Sequence, residues 1–587
     1  MIDYSTLNAE QYEAVMSDHP RILTLAGAGT GKTQVLTSRI ARIWETGASN
    51  TENMLALTFT RAAGAEMKER VIKMIGPDGK KLFCNTFHAF CVEVIRENAE
   101  RLGYEPNFSV YDQPECDDLL NAVIAELRYS ITAKQVKDAR AGKKPTSSKT
   151  AAAQVKEAAR EYEFRLKRNN AIDFDGLIGT VKRAVKTDMA IHAQLRATYS
   201  YVFVDEFQDT DQEQWDIVSY LNPDNLFIVG DDFQSIYGFR GSDVGIIMGL
   251  AKSPEWQTVK LERNYRSTQP IIEAANALIK HNDQTEKKLI TDKEGDAIDY
   301  REPEDLDREI VDIIPRLESN QRIGQWRTTA ILARTNRQLD RARAILAMHG
   351  VPCDTLAAAD NPLTRRGARE LLAWIAAIEN RHDDGAMRKI AAAKMGKAGF
   401  YEAEQIMLSG RGTFTDALHE TEAGRAFIDN YNEQREAFIS AQDITQGANR
   451  LVINLGIDDD GARYEISKWQ ERQTELGEPA TAAGLLEYVR MSNVADRPAK
   501  ERDASKTWLM TIHGSKGLEF DEVFIVGAAQ GTIPGRSDPQ EERRLFYVAM
   551  TRAREYLNIS RPMVMEDWGG RRRDTERSQF VTEALYH

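Results

Sequence analysis

Apolar positions along this chain follow two patterns. Short continuous apolar runs bounded by polar or glycine-rich stretches predict buried strands. These are Arg21-Ile22-Leu23-Thr24-Leu25, Tyr201-Val202-Phe203-Val204 and Leu226-Phe227-Ile228-Val229. Residues 327–335, RTTAILART, read as a short β-rich run followed by a helical pattern, as in a βα unit. Residues 91–171 and 371–500 instead carry helical spacing, the second stretch being rich in Ala and Glu. The residues able to do chemistry cluster at 1–90, 200–270 and 505–560, outside the two helical stretches. The layout predicts an α/β fold of two cores, each interrupted by a mainly helical insertion.

A chain of 587 residues with 42% hydrophobic and 28% charged residues is expected to fold as several globular domains. It has no apolar run of eighteen residues, so no membrane span is predicted. The acidic, polar start MIDYSTLNAEQYEAV is unlike a secretory signal. Cys84, Cys91, Cys116 and Cys353 form no CxxC pair, so they read as thiols of a reducing compartment, and a cytoplasmic location is expected. The formal net charge of −13 argues against a uniformly basic nucleic-acid binder. Charge is unevenly placed, however. Between Arg128 and Arg168 there are twelve Lys/Arg against four Asp/Glu. That run reads either as a solvated helical face or as a DNA-contacting surface on an acidic protein.

The apolar run at 21–25 leads into Ala26-Gly27-Ala28-Gly29-Thr30-Gly31-Lys32-Thr33, and then into the helical pattern QVLTSRIARIW. Strand, glycine-rich loop and helix is the context of a phosphate-binding loop. Glycines let backbone N–H groups converge on phosphate oxygens, and the helix N-terminus adds a positive dipole end. Lys32 is expected at the β/γ-phosphates and Thr33 at Mg²⁺. Ala26 stands where the general pattern has Gly, while the crowded GTGKT portion is intact.

The strand at 201–204 ends in Asp205-Glu206-Phe207-Gln208-Asp209, and the strand at 226–229 ends in Gly230-Asp231-Asp232-Phe233-Gln234. Carboxylates at strand C-termini sit beside such a loop in a parallel sheet. Asp205 is expected to hold Mg²⁺, and Glu206 to orient and deprotonate the attacking water. Gln234 is placed to sense the γ-phosphate.

Taken in order, these blocks resemble the UvrD/Rep/PcrA group of superfamily one helicases over nearly the whole chain. Leu7-Asn8-Ala9-Glu10-Gln11 resembles the adenine-reading Q motif, which implies a bidentate contact from Gln11. The resemblance adds Gln34 and Arg39 to the nucleotide pocket. LERNYRST (261–268) implies Tyr265 against adenine and Arg266 at the γ-phosphate. LMTIHGSKGLEF (509–520) and EERRLFYVAMTRARE (541–555) imply Glu519 at the ribose and Arg552 as a second γ-phosphate arginine. LALTFTRAAGAEMKER (55–70) and NTFHAF (85–90) resemble DNA-contacting motifs, and AIDFDGLI (171–178) resembles the return from the first insertion. The implied fold is two RecA-like P-loop NTPase cores. The first is formed by 1–90 and 172–270, with insertion 91–171. The second is formed by 271–370 and 501–587, with insertion 371–500.

Phe59, Tyr237 and Phe239 lie in motifs whose family counterparts stack on DNA bases. Phe239 stands where Trp is usual, and Arg61 where Asn is more common. Arg240, His88 and His513 are implied polar DNA contacts, and Trp568, in EDWGG, a further stacking residue. The second insertion looks shorter than in UvrD and Rep. The chain ends soon after Ser578-Gln579-Phe580, so the C-terminal extension carrying partner contacts in that group is expected to be absent.

The implied activity is Mg²⁺-dependent ATP hydrolysis coupled to 3′→5′ motion on single-stranded DNA. The implied partners are single strands, single/double-strand junctions, and a nuclease or repair protein; no membrane is implied. A translocase that displaces proteins with little unwinding, or the motor subunit of a larger repair or defence complex, shares every motif. A DNA clamp without hydrolysis is opposed by the intact Lys32, Asp205, Glu206, Gln234, Arg266 and Arg552.

Overall fold

The structure, a computed structural model, describes residues 2–140, 142, 149–322, 327–355, 362–409, 412–459, 461–491, 505–566 and 571–586. Sixteen strands occur among these residues. In chain order they are β1 (Arg21–Ala26), β2 (Met54–Thr58), β3 (Phe83–Thr86), β4 (Ser109–Tyr111), β5 (Ala171–Asp173), β6 (Tyr201–Val204), β7 (Asn225–Gly230) and β8 (Gln257–Leu261). There follow β9 (Asp299–Arg301), β10 (Thr329–Ala333), β11 (Cys353–Thr355), β12 (Thr507–Thr511), β13 (Phe520–Ile525), β14 (Ala553–Ser560), β15 (Val564–Glu566) and β16 (Arg572–Asp574).

Two six-stranded sheets carry the α/β architecture, in the orders β3-β2-β6-β7-β1-β8 and β11-β12-β10-β13-β14-β9. Every pair in both sheets is parallel. Parallel sheets need cover on both faces, which is why β1, β2, β6 and β10 read as continuous apolar runs and not as alternating ones. In the first sheet, Val35, Leu36 and Ile40 of the helix Lys32–Glu45 pack with Met67 and Val71 of Arg61–Ile75 over Ile22, Ala56 and Val229. In the second sheet the helices Gln269–Ile279 and Pro539–Met550 cover one face, and Asn336–Met348 the other. Ala28, Phe233, Ile236 and Tyr237, from the first sheet's loops, share one apolar cluster with the second sheet's helices.

The chain divides into two compact units. Both sheets belong to one, built from Met1–Phe87, His192–Ala358 and Asn493–His587. The other, His88–Ile191 with Ala359–Ser492, is helical apart from the two-stranded ladder β4–β5. The helix Phe174–Thr187 therefore lies in the helical unit. Both insertion segments contribute to this unit, and a buried polar network ties them. Ser109 and Tyr111 donate to Asp383 at 2.8 and 2.7 Å, while Asn380 donates to the carbonyls of Asn169 and Asn170 at 3.0 Å. Trp374, fully buried, stacks on Tyr431. Among the described residues, no helix is long and apolar enough to cross a membrane.

Candidate functional site

The segment after β1 turns back on itself at Gly29 and Gly31, whose φ values of +66° and +84° lie in the left-handed region. Space is as restrictive as φ. A Cβ on Gly29 would lie 2.7 Å from Arg266 Cβ, and one on Gly31 2.7 Å from Gln11 Nε2. The helix Lys32–Glu45 begins directly after Gly31, so its first amides face the loop's concavity. Thr30 Oγ1 donates to the Gly27 carbonyl at 2.9 Å. From beyond β8, Asn264 Nδ2 donates to Ala28 O at 2.6 Å and Tyr265 N to Gly29 O at 2.9 Å. A cleft of about 930 Å³ opens here. Gly29 through Gln34, Glu206 and Gln234 line it, as do Tyr265, Arg266, Glu519 and Arg552. Ala26, Gly27 and Ala28 are not among its lining residues; Ala26 and Ala28 are buried beneath the loop.

The sheet order puts β7 beside β1 and β6 beside β7, so residues after β6 and β7 emerge next to the phosphate loop. Glu206 adopts φ +49°, an uncommon, strained conformation for a residue with a side chain. Its carboxylate meets Lys32 Nζ at 3.2 Å and also accepts from Gln208. Burial alone would raise the Glu206 carboxyl, but Lys32, Lys516 and the Gln208 hydrogen bond bring it down to about 2. Burial and the Glu206 charge push Asp205 the other way, up to about 7. Lys32, despite burial, is raised by Glu206, Asp231 and Asp205. The site thus holds an ionised carboxylate, Glu206, beside a carboxyl, Asp205, that burial and its neighbour's charge push up. Asp205 and the Thr33 hydroxyl are hard oxygen donors, the set that suits Mg²⁺ shared with phosphate.

Two arginines approach, Arg266 from the segment between β8 and the helix Gln269–Ile279, and Arg552 from the turn before β14. Arg266 Nε donates to Glu519 Oε2 at 2.6 Å, and Arg554 holds the same carboxylate. Burial opposes ionisation of Glu519, but these two guanidiniums lower it to about 2. Arg552 is only 1% exposed, and its hydrogen-bond acceptors are neutral. It donates to the carbonyls of Val548 and Leu518 at 3.0 Å and to Gln234 Oε1 at 3.1 Å. Burial, with Arg266 nearby, lowers it to about 9.

Gln11 is buried, accepts from the Asn8 amide at 3.0 Å and donates to Thr30 O at 2.9 Å. It thereby joins the helix Ala9–Met16 to the phosphate loop. Tyr265 is 45% exposed on the cleft wall, and its hydroxyl accepts from Asn8. Arg39 does not reach the cleft, contrary to expectation. It lies seven residues past Lys32, roughly 10 Å down the helix. Its guanidinium donates to the carbonyls of Ala14, Val15 and Ser17 at 2.9–3.1 Å, closing the end of the neighbouring helix. Gln34, in the first turn, lines the cleft, and so does Arg70, which was not singled out from sequence.

The aromatic residues assemble near the end of the Gln234 segment. Phe59 stacks on Tyr237 with centroids 5.0 Å apart, and Phe239 meets Tyr237 edge-on at 6.0 Å and His513 at 5.5 Å. Arg240 lies over both Tyr237 and Phe239. Tyr237 is buried, whereas Phe239 is 64% exposed. Burial, with Arg334 and Arg240 adjacent, lowers His513 to about 4, so it is neutral at pH 7. Lys516, which carries no expectation from sequence although it sits three residues past His513, pairs with Asp209, donates to Gln234 O at 2.7 Å and lies 4.9 Å from the Tyr237 ring. Arg61 begins the helix Arg61–Ile75, two residues after Phe59, which itself follows β2. His88 belongs to the helical unit, where its ring meets Phe174 edge-on.

Trp568 and residues 143–148 of the basic run lie outside the described residues. Within that run Lys137, Arg140 and Arg165 pair with Asp117, Asp173 and Glu126. Lys167 donates to the carbonyls of Leu102 and Gly103. Those four cations are therefore already engaged within the protein.

Residues 7–255 match the UvrD/REP helicase N-terminal domain, and residues 259–439 and 425–562 match the UvrD-like helicase C-terminal domain. Among curated proteins, the ATP-dependent DNA helicase PcrA of Staphylococcus aureus (strain MRSA252) is 31% identical over 615 residues, covering 94% of this chain and 83% of that protein. The ATP-dependent DNA helicase PcrA of Staphylococcus epidermidis (strain ATCC 12228 / FDA PCI 1200) is 31% identical over 614 residues, with the same coverage.

Proposed function

This chain belongs to the UvrD/REP helicase family, and we propose that it hydrolyses ATP to move 3′→5′ along single-stranded DNA and to part duplex strands at junctions. One observation carries the reading. The phosphate loop and Glu206, on the first sheet, face Arg552, on the second, across a single cleft, with Arg266 on the segment that leads from β8 to the helix Gln269–Ile279. A cleft built from both sheets has its closure tied to the phosphate that the arginines read. We read residues 1–90 and 172–270 as the first RecA-like core and 271–370 and 501–587 as the second, with 91–171 and 371–500 as the insertions.

Glu206, ionised at neutral pH, takes a proton from the attacking water as its oxygen bonds to the γ-phosphorus. The bond from that phosphorus to the β,γ-bridging oxygen breaks, and the electron pair leaves with ADP. Lys32, Arg266 and Arg552 face the charge that develops on the transferred group. Thr33 and Asp205 would hold Mg²⁺, which supplies charge neutralisation at the phosphates. Tyr265 offers a ring face to the adenine, Gln11 an amide edge, and Glu519 an acceptor for the ribose hydroxyls. Phe239, Tyr237 and Phe59 form the aromatic platform for bases, with Arg240, Arg61 and neutral His513 as polar contacts; His88, in the helical unit, is a separate polar contact implied by the resemblance of its segment. The free thiols accord with a reducing, cytoplasmic setting.

The test is steady-state ATPase activity with and without single-stranded DNA, followed by unwinding of tailed duplexes. DNA should stimulate turnover, and 3′-tailed duplexes should be unwound in preference to 5′-tailed ones. Turnover indifferent to DNA would overturn the reading. Displacement of bound protein without strand separation would replace helicase by translocase.

A further inference from the structure

Lys287 is fully buried away from the cleft, and its ammonium sits on two carboxylates at once. It lies 2.6 Å from Asp231 Oδ1 and 2.5 Å from Asp232 Oδ1, with the Phe233 ring 3.9 Å away. Burying a lysine is costly unless it is paired and hydrogen-bonded. Here the two aspartates hold it charged, raising it against the effect of burial. Sequence reading gave Lys287 no role.

Its neighbours carry its influence to the reaction. The second oxygen of Asp231 accepts from Gln234 Nε2 at 2.5 Å, and Gln234 Oε1 accepts from Arg552 at 3.1 Å. A side-chain amide has a donating end and an accepting end. A carboxylate at one end selects the NH₂ there and turns the oxygen toward Arg552. Lys287 fixes where that carboxylate sits. The segment bearing Lys287 is itself tied down. Thr285 donates to Asp232 through its N and Oγ1 at 2.8 and 2.9 Å. The Leu289 backbone accepts from Asn276 Nδ2 at 2.8 Å and donates to Asn276 Oδ1 at 3.2 Å, Asn276 lying on the helix Gln269–Ile279. The Leu289 side chain lies against the phosphate loop, where a Cβ on Gly27 would come within 2.3 Å of Leu289 Cδ2.

We propose that Lys287 is a positioning residue for ATP hydrolysis, which holds Asp231 as a fixed anionic acceptor and thereby presents the Gln234 oxygen to Arg552. The proposal rests on the reading of Gln234 and Arg552 as phosphate-facing groups.

Lys287→Met keeps the length of the side chain and removes the charge. It should lower ATPase kcat by about 10²-fold, the scale of a roughly 1 Å misplacement of a reacting group. The KM for ATP should change little, because Lys287 does not line the cleft. The deciding measurement is a double-mutant cycle with Gln234→Ala. If Lys287 acts through Gln234, Lys287→Met costs almost nothing further once Gln234 is gone. A purely architectural lysine would give the same loss in both backgrounds, and that result overturns the proposal. Should Lys287→Met fail to fold, adding Asp232→Asn returns the cluster to its original net charge, and the same cycle is run on that pair. Absence of ATPase in the unmodified protein would instead refute the proposed function. An active protein with additive losses refutes only the role of Lys287.

Discussion

Phe239→Ala separates a DNA-stacking role from ordinary core packing, because the structure gives the two roles different magnitudes. The ring is 64% exposed. About a third of its ~200 Å² is therefore covered, and at ~25 cal/mol per Å² truncation costs at most about 2 kcal/mol of stability. In a protein of this size that is a fall of a few °C at most in melting temperature. Buried Tyr237 would cost roughly 3–5 kcal/mol on truncation to Ala. A base stacked on Phe239 is worth about 1–3 kcal/mol, or roughly a 5- to 100-fold change in affinity. The assay is binding of a labelled oligothymidylate to the wild type and the variant, with melting temperature and basal and DNA-stimulated ATPase measured on the same samples. The expected variant melts near the wild type and keeps basal turnover, but binds DNA at least fivefold more weakly and loses most stimulation. Phe239→Trp should restore binding, since it offers a larger face. Unchanged DNA affinity, or a fall in basal turnover parallel to a large fall in melting temperature, would refute stacking.

Three further outcomes follow from the cleft and the core. Glu206→Gln should lower turnover by about 10²-fold or more while ATP still binds; Lys32→Ala should weaken ATP binding as well, and equal ATP affinities in the two variants would contradict their separate roles. Arg266→Ala should weaken binding of a non-hydrolysable ATP analogue more than binding of ADP, and parallel losses, measured by calorimetry, would remove it from the γ-phosphate. Glu309, fully buried and bonded to Gly527 N and Ser560, is raised by burial to about 8. Between its unfolded value of 4.5 and about 8 the unfolded chain has lost a proton that the folded chain keeps, so this group's contribution to stability falls as pH rises. Glu309→Gln should gain on the wild type by a few kcal/mol across that window, read by urea unfolding; a pH-independent difference would refute the assignment.

Much of the cleft was legible because its signals are local. A strand, a glycine-rich turn and a helix are neighbours in sequence, as are an apolar run and the carboxylates that end it. Lys32, Glu206 and Gln234 stand at such local signals, Arg266 and Arg552 are implied by the resemblance of their segments, and all five line one cleft. Arg39 failed for a geometric reason. It lies two turns into a helix whose N-terminus faces the loop, so only residues of the first turn, such as Gln34, can line the cleft. Arg70 lay at the end of a segment assigned to DNA contact, and nothing in its spacing says which wall of the core it faces. Lys516 and Lys287 were not legible in role because an ion pair's partner is a tertiary property. Asp209 is some 300 residues from Lys516, and Asp231 more than 50 from Lys287. The same holds for the helical unit. Its helices could be read from their periodicity. The polar network joining Ser109 and Tyr111 to Asp383 could not, since a lone polar residue carries no mark of its partner.

The contact strengths indicate which link yields when the cleft opens. Lys516 bonds the hydrolytic turn through Asp209 and the sensor segment through the Gln234 carbonyl, and it approaches the Tyr237 ring. Its own turn carries His513, which touches Phe239. One buried cation thus connects the hydrolytic turn, the phosphate sensor and the aromatic platform. Stripping a partner from a buried ion pair costs about 3–5 kcal/mol, whereas releasing one stacked base costs about 1–3 kcal/mol. Under strain from a departing phosphate, the base contact is the weaker of the two. On the proposed stacking role of Phe239, the ionic junction would therefore move as a unit with Tyr237 and the strand would slip at Phe239. That order of strengths also explains why truncating Phe239 should spare basal turnover: the step it removes is the last in the chain, downstream of every group that touches the phosphate.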